Sequence, residues 1–301
     1  MIAVRFALYA VLGSAFGLSA FGLYGLRGGE RGDALPLRPW LAVLAVAGLA
    51  LSAVQLALLA ASMMGTPAWP VDREAIGMLL TGSALGAAWK ARMTALLVAG
   101  LAAIPAGRGT WLGVVAVAAG VALATLAWTG HGAAGEGAPG WAQLVADLLH
   151  LLASGAWLGA LLGLVLLVAH PAARVDAAHL TLTHRALHGF GLVGTVVVAT
   201  IVVTGLVNTW MLIGPGNVPE LGAMLYGRLL IVKLALFAAM LGLASLNRFR
   251  LTPAFERSIA AADHAGALGA LRASLAVETA CAVVILALVG WLGTLEPPMS
   301  M

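Results

Sequence analysis

The sequence predicts an all-α, polytopic membrane protein with eight transmembrane helices, and three observations carry that prediction. Of 301 residues, 62% are hydrophobic and 9% are charged, where a soluble domain carries about 25% charge. Mean hydropathy is +1.02, more apolar surface than a soluble fold of this length can bury. The apolar residues also fall in runs long enough to cross ~30 Å of hydrocarbon, which takes ~20 residues of helix.

The first span reads as 3–26. Arg5 precedes it, as a basic residue precedes a secretion signal. The run is longer than a signal's apolar core, and "FGLYGLRGG" offers no small-x-small cleavage site, so it reads as a retained span. Spans two to four read as 40–63, 86–106 and 111–129. Between the second and third, "VDREAIGMLLTGSAL" at 71–85 opens on too many polar residues to span and reads as an interfacial or re-entrant helix. Spans five to eight read as 142–169, 187–213, 226–247 and 273–295, with no linker dividing them. The single cysteine, Cys281, lies in an apolar run, which leaves no disulfide framework and no CxxC metal motif.

Basic residues set the orientation. Ten arginines, from Arg27 to Arg272, fall in the loops after spans one, three, five and seven, against Arg5, Arg73 and Arg228 on the other side. The positive-inside rule then places both termini outside the cytoplasm. Shifting the chain by 141 residues lays Tyr9 on His150, Gly86 on Gly227 and Arg92 on Lys233. This reads as a parallel 4+4 repeat within one integral membrane domain (1–301), with halves at 1–129 and 130–301. Transporters are often built this way, with the site where the halves meet.

Ionisable side chains inside the membrane are costly, so each needs an account. His150 lies nine residues past Trp141 in span five, about 13 Å along the helix at ~1.5 Å per residue. Asp147, three residues earlier on the same face, is placed to accept a ring N–H and fix the tautomer. His131 lies in the Gly-rich loop that joins spans four and five, so the two imidazoles are expected to converge near the outer face. Neutral imidazoles suit copper, zinc or haem iron. Thioethers select Cu(I), and Met63, Met64 and Met211 end spans on that same side. Trp157 and Asn208 are expected around this site. His184 and His188, four residues apart on a helix, form a candidate exit site at the cytoplasmic side. Arg92, Lys233 and Glu278 are embedded charges; Glu278 is expected to pair with a basic group, and Asn208 and Asn247 to bridge helices.

The second half resembles the copper resistance protein D (CopD) family. The resemblance rests on "WTGHGA" at 128–133, "HLLASGAWLG" at 150–159, "TGLVNTW" at 204–210, "YGRLLIVKLALFAAMLGLASLNRFRLTP" at 226–253, and "LRASLAVE" through "TLEPP" at 271–298. These stretches occur in the family's order, and "TGSALGAAWKAR" at 81–92 extends the likeness more loosely into the first half. The resemblance implies an eight-span inner-membrane protein that handles copper beside a periplasmic copper-binding partner, CopC. His131 and His150 stand at the family's histidine positions. Two places depart from the family pattern: Tyr9 stands where many members have a histidine, and "LTHRALHGF" replaces the usual "RFS".

The expected function is therefore copper transport or homeostasis, with a copper ion held by His131 and His150 and assisted by methionines. A bis-histidine haem b protein is the alternative, and a scaffold for a periplasmic copper protein the third reading. No GxxxxGK[ST], HExxH, nucleophile elbow or catalytic carboxylate pair is present, so neither an ATP-driven pump nor a hydrolytic enzyme is expected.

Overall fold

The computed structural model describes residues 1–67, 69–106, 109–129, 137–169, 177–260 and 265–297. Its described elements are all helical. They are α1 (Ile2–Tyr24), α2 (Glu30–Asp33), α3 (Leu37–Met64), α4 (Arg73–Gly82), α5 (Ala84–Ala103), α6 (Gly109–Ala124), α7 (Gly137–Val168), α8 (Ala177–Ile213), α9 (Leu225–Leu246), α10 (Thr252–Ala260) and α11 (Ala265–Leu292). A 3-10 turn, Thr125–Thr129, extends α6, and a π-helical turn, Asn247–Leu251, joins α9 to α10.

Seven of these helical stretches are long and apolar enough to cross a membrane. The remaining predicted span is α5, whose 20 residues include Lys90 and Arg92; these charges lower its apolarity. It nevertheless packs along α3 and α6 inside the bundle. Arg92, 1% exposed, donates from Nη1 to Gln55 Oε1 (2.7 Å) and from Nε to Thr125 Oγ1 (2.8 Å). Neutral oxygens thus satisfy this buried cation, and it ties α5 to α3 and to the turn after α6.

Segment 71–85 forms a short amphipathic helix on the surface. Asp72 caps α4 by accepting from the backbone N–H groups of Glu74 and Ala75, satisfying donors that a helix start leaves free. Ala75 and Leu79 pack on Leu56 and Ala60 of α3. The helix breaks at Ser83, whose hydroxyl accepts from Gly86 N at 3.0 Å and so starts α5. The longer α8 also departs from expectation, beginning at Ala177 rather than 187. Its extra turns bury Leu180, Thr183 and Leu187, one face at helical spacing.

The centre of the bundle is the crossing of α1 and α7. Gly13 and Gly17 on α1 meet Gly155 and Gly159 on α7. A Cβ at Gly159 would stand 2.0 Å from the Gly17 carbonyl carbon, and one at Gly17 would stand 2.0 Å from Gly155 O. Only hydrogen fits between these backbones. Close small-residue contacts replace the hydrophobic effect as the source of helix association in lipid. Phe21 lies over Gly163, and Leu8, Leu12, Leu18 and Leu161 are buried around the seam.

The rest assembles on this pair. α3 and α6 pack on α1, and α8 and α11 pack on α7, while α11 also reaches α1 and α9. α3 and α5 lie against each other along their length, whereas α8 and α9 share few contacts, and space opens between them. Arg5 closes the end that carries both termini: its guanidinium donates to Gly293 O and to Thr129 O, the latter at 3.1 Å. At the opposite end Arg185 of α8 pairs with Glu30 of α2. Burial works against the Glu30 carboxylate, but the bonds from Arg185 and from the Arg27 backbone N–H outweigh it and hold this carboxyl below its ordinary range.

Two predictions follow from these contacts. Gly159→Leu should abolish the folded monodisperse species in fluorescence-detected gel filtration, because the clash is backbone on backbone and exceeds the ~1–3 kcal/mol usual for overpacking. Gly113→Ala, with nothing within 4 Å of its added Cβ, should leave the profile unchanged. The Glu30–Arg185 pair should stabilise the protein by at most about 1 kcal/mol. Because the folded carboxyl titrates below its unfolded value, that contribution is present above the ordinary glutamate range and is lost as pH falls through the lowered one. Thermal scans of Glu30→Gln should therefore differ from wild type at neutral pH and converge with it in acid.

Candidate metal site

His150 lies on α7 toward the end of the bundle that carries the termini, facing α8. Gly205 makes room for it: a Cβ there would sit 3.5 Å from the imidazole Cε1. His150 Nδ1 lies 2.9 Å from Thr204 Oγ1. The Thr204 hydroxyl has one proton, and its 2.6 Å contact with Thr200 O, four residues back on the same helix, uses it. The shared contact is then Nδ1–H donating to the threonine oxygen. The second imidazole nitrogen, Nε2, carries the lone pair. This tautomer can bind a metal through Nε2, and it is held by a hydroxyl rather than by a carboxylate.

Asp147 does not orient His150 through its ring N–H. Its Oδ1 accepts instead from Asn208 Nδ2 at 2.6 Å. Asn208 lies one turn beyond Thr204 on α8, so α8 presents partners at i and i+4 to residues at i and i+3 of α7. The bridging expected of Asn208 is present; the hydrogen bond expected between Asp147 and His150 is not, because α8 supplies each with a nearer partner.

Two adjoining cavities share His150 and Lys233. One, about 240 Å³, is lined by Arg5, Tyr9, Asp147, Asn208 and Tyr226 as well. The other, about 380 Å³, runs deeper, past Gly205, Phe237 and Met240 to Trp157. Lys233, Phe237 and Met240 follow one another at i, i+4 and i+7, so α9 turns one face to the chamber. Lys233 and Asp147 line the same 240 Å³ cavity.

The methionines expected as ligands are elsewhere. Met63 and Met64 end α3 with 66% and 49% of their surface exposed, and Met211 on α8 does not line either cavity. His131 lies outside the described residues. Among the described residues no three His, Cys, Asp or Glu side chains come together as a ready metal set. At the opposite end His184 Nε2 lies 3.7 Å from Glu256 and His188 is exposed. Glu278 meets the Asn247 amide rather than a basic group. Sequence reasoning missed Thr204 as the partner of His150, and Met240 and Tyr9 as chamber walls. The readable signal was the register of α8 and α9: Thr204 and Asn208 one turn apart, Met240 two turns past Lys233.

Residues 1–141 match the family described as the copper resistance protein D-like N-terminal domain, and residues 184–292 match that described as copper resistance protein D. Copper resistance protein D of Pseudomonas syringae pv. tomato is 45% identical over 306 residues, which covers 99% of this chain and 97% of that protein. The chain belongs to the copper resistance protein D family. No solved structure matches it. Membership places it among the multi-pass inner-membrane proteins of copper resistance, not among enzymes. The N-terminal match gives family status to α1–α6, where the quoted motifs were sparse.

The tautomer assignment yields a prediction. Thr204→Val leaves the His150 Nδ1–H without its acceptor and should destabilise the protein by about 1–3 kcal/mol. Thr204→Ser, which keeps the acceptor, should stay close to wild type. Unfolding in detergent, followed by intrinsic fluorescence, distinguishes the two.

Proposed function

We propose that this protein carries copper across the inner membrane, and that His150 is the ligand which receives the ion from the periplasmic side. The observation that carries the reading is the pairing of His150 Nδ1 with the Thr204 hydroxyl on the wall of a chamber in a copper-resistance protein; with Nδ1–H as the donor, Nε2 is the nitrogen that holds the lone pair. In this reading the termini are periplasmic, as the arginine distribution indicates, and α5 is the eighth span. His131, in the loop preceding α7, completes the first binding position with His150. Met63, Met64 and Met211 are soft contacts nearer the surface, where a CopC-like copper protein docks. His184 and His188 stand at the exit, where Glu256 competes for His184. Asp147, held by Asn208, offsets the incoming charge, and Lys233 occupies its field when no ion is present. Arg92 anchors the first half.

The halves 1–129 and 130–301 are read as a parallel 4+4 repeat. The packing of α3 and α6 on α1 and of α8 and α11 on α7 supports this. So do Gly86 and Gly227, 141 residues apart: a Cβ at either would lie within about 2.2 Å of a carbonyl oxygen of the segment before it, Leu79 O or Leu221 O. The halves then differ where function requires it. Arg92 fills the first half and is bonded to neutral groups. Its counterpart Lys233 faces a chamber.

Metal analysis with an absorption spectrum on purified protein tests the assignment. Wild type is expected to bind copper, and His150→Ala to lose most of it, a loss of tenfold or more in affinity. Met63→Leu should cost less. Copper unchanged in His150→Ala sinks the site, and a Soret band lost in that variant would reassign His150 to haem.

A further inference from the structure

A second chamber, about 220 Å³, lies at the end of the bundle away from the termini, between α7, α8, the π-helical turn and α11. Trp157 lines both this chamber and the deeper His150 cavity. Its ring meets Phe237 with centroids 6.1 Å apart, so an aromatic partition divides the two. Into this second chamber face Glu278, 2% exposed, and Asn247, 8% exposed. Asn247 Nδ2 donates to Glu278 Oε1. Among the described residues no cation comes within ion-pair distance of this carboxyl. Asn247 Oδ1 and the Trp157 indole nitrogen, both on side chains more than nine-tenths buried, have no partner among the described residues. Asn247 opens the π-helical turn, a local widening of the helix that recurs at functional sites.

We propose that Glu278 is a proton-exchanging carboxyl, taking a proton from water in this chamber and releasing it past the Trp157–Phe237 partition toward the His150 cavity, as the counter-ion step to copper movement in the opposite direction. A carboxylate with one amide partner and no cation is expensive in a membrane interior; a proton removes the charge without a partner. The chamber chemistry argues against copper as the occupant. Its polar groups are oxygens and nitrogens of Glu278, Asn247, Thr195, Ser245 and Thr252, with no thioether, thiol or imidazole, a poor match for Cu(I). Arg248 lines it too, but its guanidinium donates to Thr195 Oγ1 at 2.6 Å and lies over the Phe249 ring, beyond ion-pair distance of Glu278, and the chamber has room for water. The neighbouring titratable groups are otherwise engaged or distant. On α11, Arg272 donates to Val168 O and Cys281 lies one turn on. On α10, Glu256 meets His184 and Arg257 donates to Pro253 O. On α8, His188 is exposed, and on α1, Arg5 and Tyr9 face the other chamber.

What the proton is coupled to rests on the transport reading; the proton site itself rests on this chamber alone. Infrared difference spectroscopy on the full-length protein in lipid tests the site without copper. The carbonyl stretch of a protonated carboxylic acid should be present near neutral pH, shift in D2O, disappear as pH is raised, and be lost in Glu278→Gln. Asn247→Leu keeps the carboxyl and removes its donor, so it should shift the band and its titration midpoint; it serves if Glu278→Gln does not fold. A band that is absent in wild type, that survives Glu278→Gln, or that neither exchanges nor titrates overturns the proposal. In vesicles loaded with a pH dye, copper-driven proton movement should be lost in Glu278→Gln while copper binding at His150 persists. Copper uptake with no proton movement in wild type overturns the coupling. Absence of copper uptake in wild type counts against the transport reading, and leaves the infrared result to decide the site.

Discussion

The architecture depends on the close approach of two backbones. Gly17 and Gly159 leave no room for a side chain between α1 and α7, and in lipid such contacts, not the exclusion of water, hold helices together. Every other spanning helix reaches this pair directly or through one neighbour. The seam also sets the depth of His150, which lies less than three turns before Gly159 on the same helix. A rigid crossing fixes where the imidazole stands, and α8 then only needs a hydroxyl at the right turn to orient it.

Polar groups in this interior follow one rule with two outcomes. Arg92 is surrounded by donors' natural partners, Gln55 and Thr125, and becomes a rivet. Asp147, His150 and Glu278 each have a partner for only part of their capacity, and these three and Lys233 face open volume. The difference arises from helix packing: α3 and α5 close on each other, while α8 and α9 do not. Unfilled space between helices, rather than residue type, separates the structural charge from the candidate working ones.

Much of the fold was legible because hydrophobic run length is a strong signal in membranes. The expected spans lie on observed helices, and the surface position of 71–85 followed from its polar opening. Ends were less legible: the first turns of α8 are helical through packing of Leu180 and Leu187, which no hydropathy window detects. At the site, His150, Asp147, Asn208 and Asn247 were singled out as buried polar residues in need of an account, and each has a partner across a helix boundary. Who those partners are was not readable. The pairings of Asp147 with Asn208, His150 with Thr204 and Glu278 with Asn247 all cross between helices, and depend on rotations that a sequence does not state. The methionines show the converse: clustering toward one side of the membrane placed Met63 and Met64 at the surface, but not beside the histidine.

The bonds from Arg5 to Gly293 and Thr129 have a practical consequence. They bring the first helix, the last helix and the turn after α6 to one rim, and Arg5 and Gly293 belong to the wall of the cavity that contains His150. Anything fused ahead of α1 or beyond α11 therefore emerges over that opening. On the proposed copper reading, an affinity tag at either end, and a polyhistidine tag above all, would hang a competing chelator across that opening. Internal epitopes in the arginine-rich loops are the safer handles for purification.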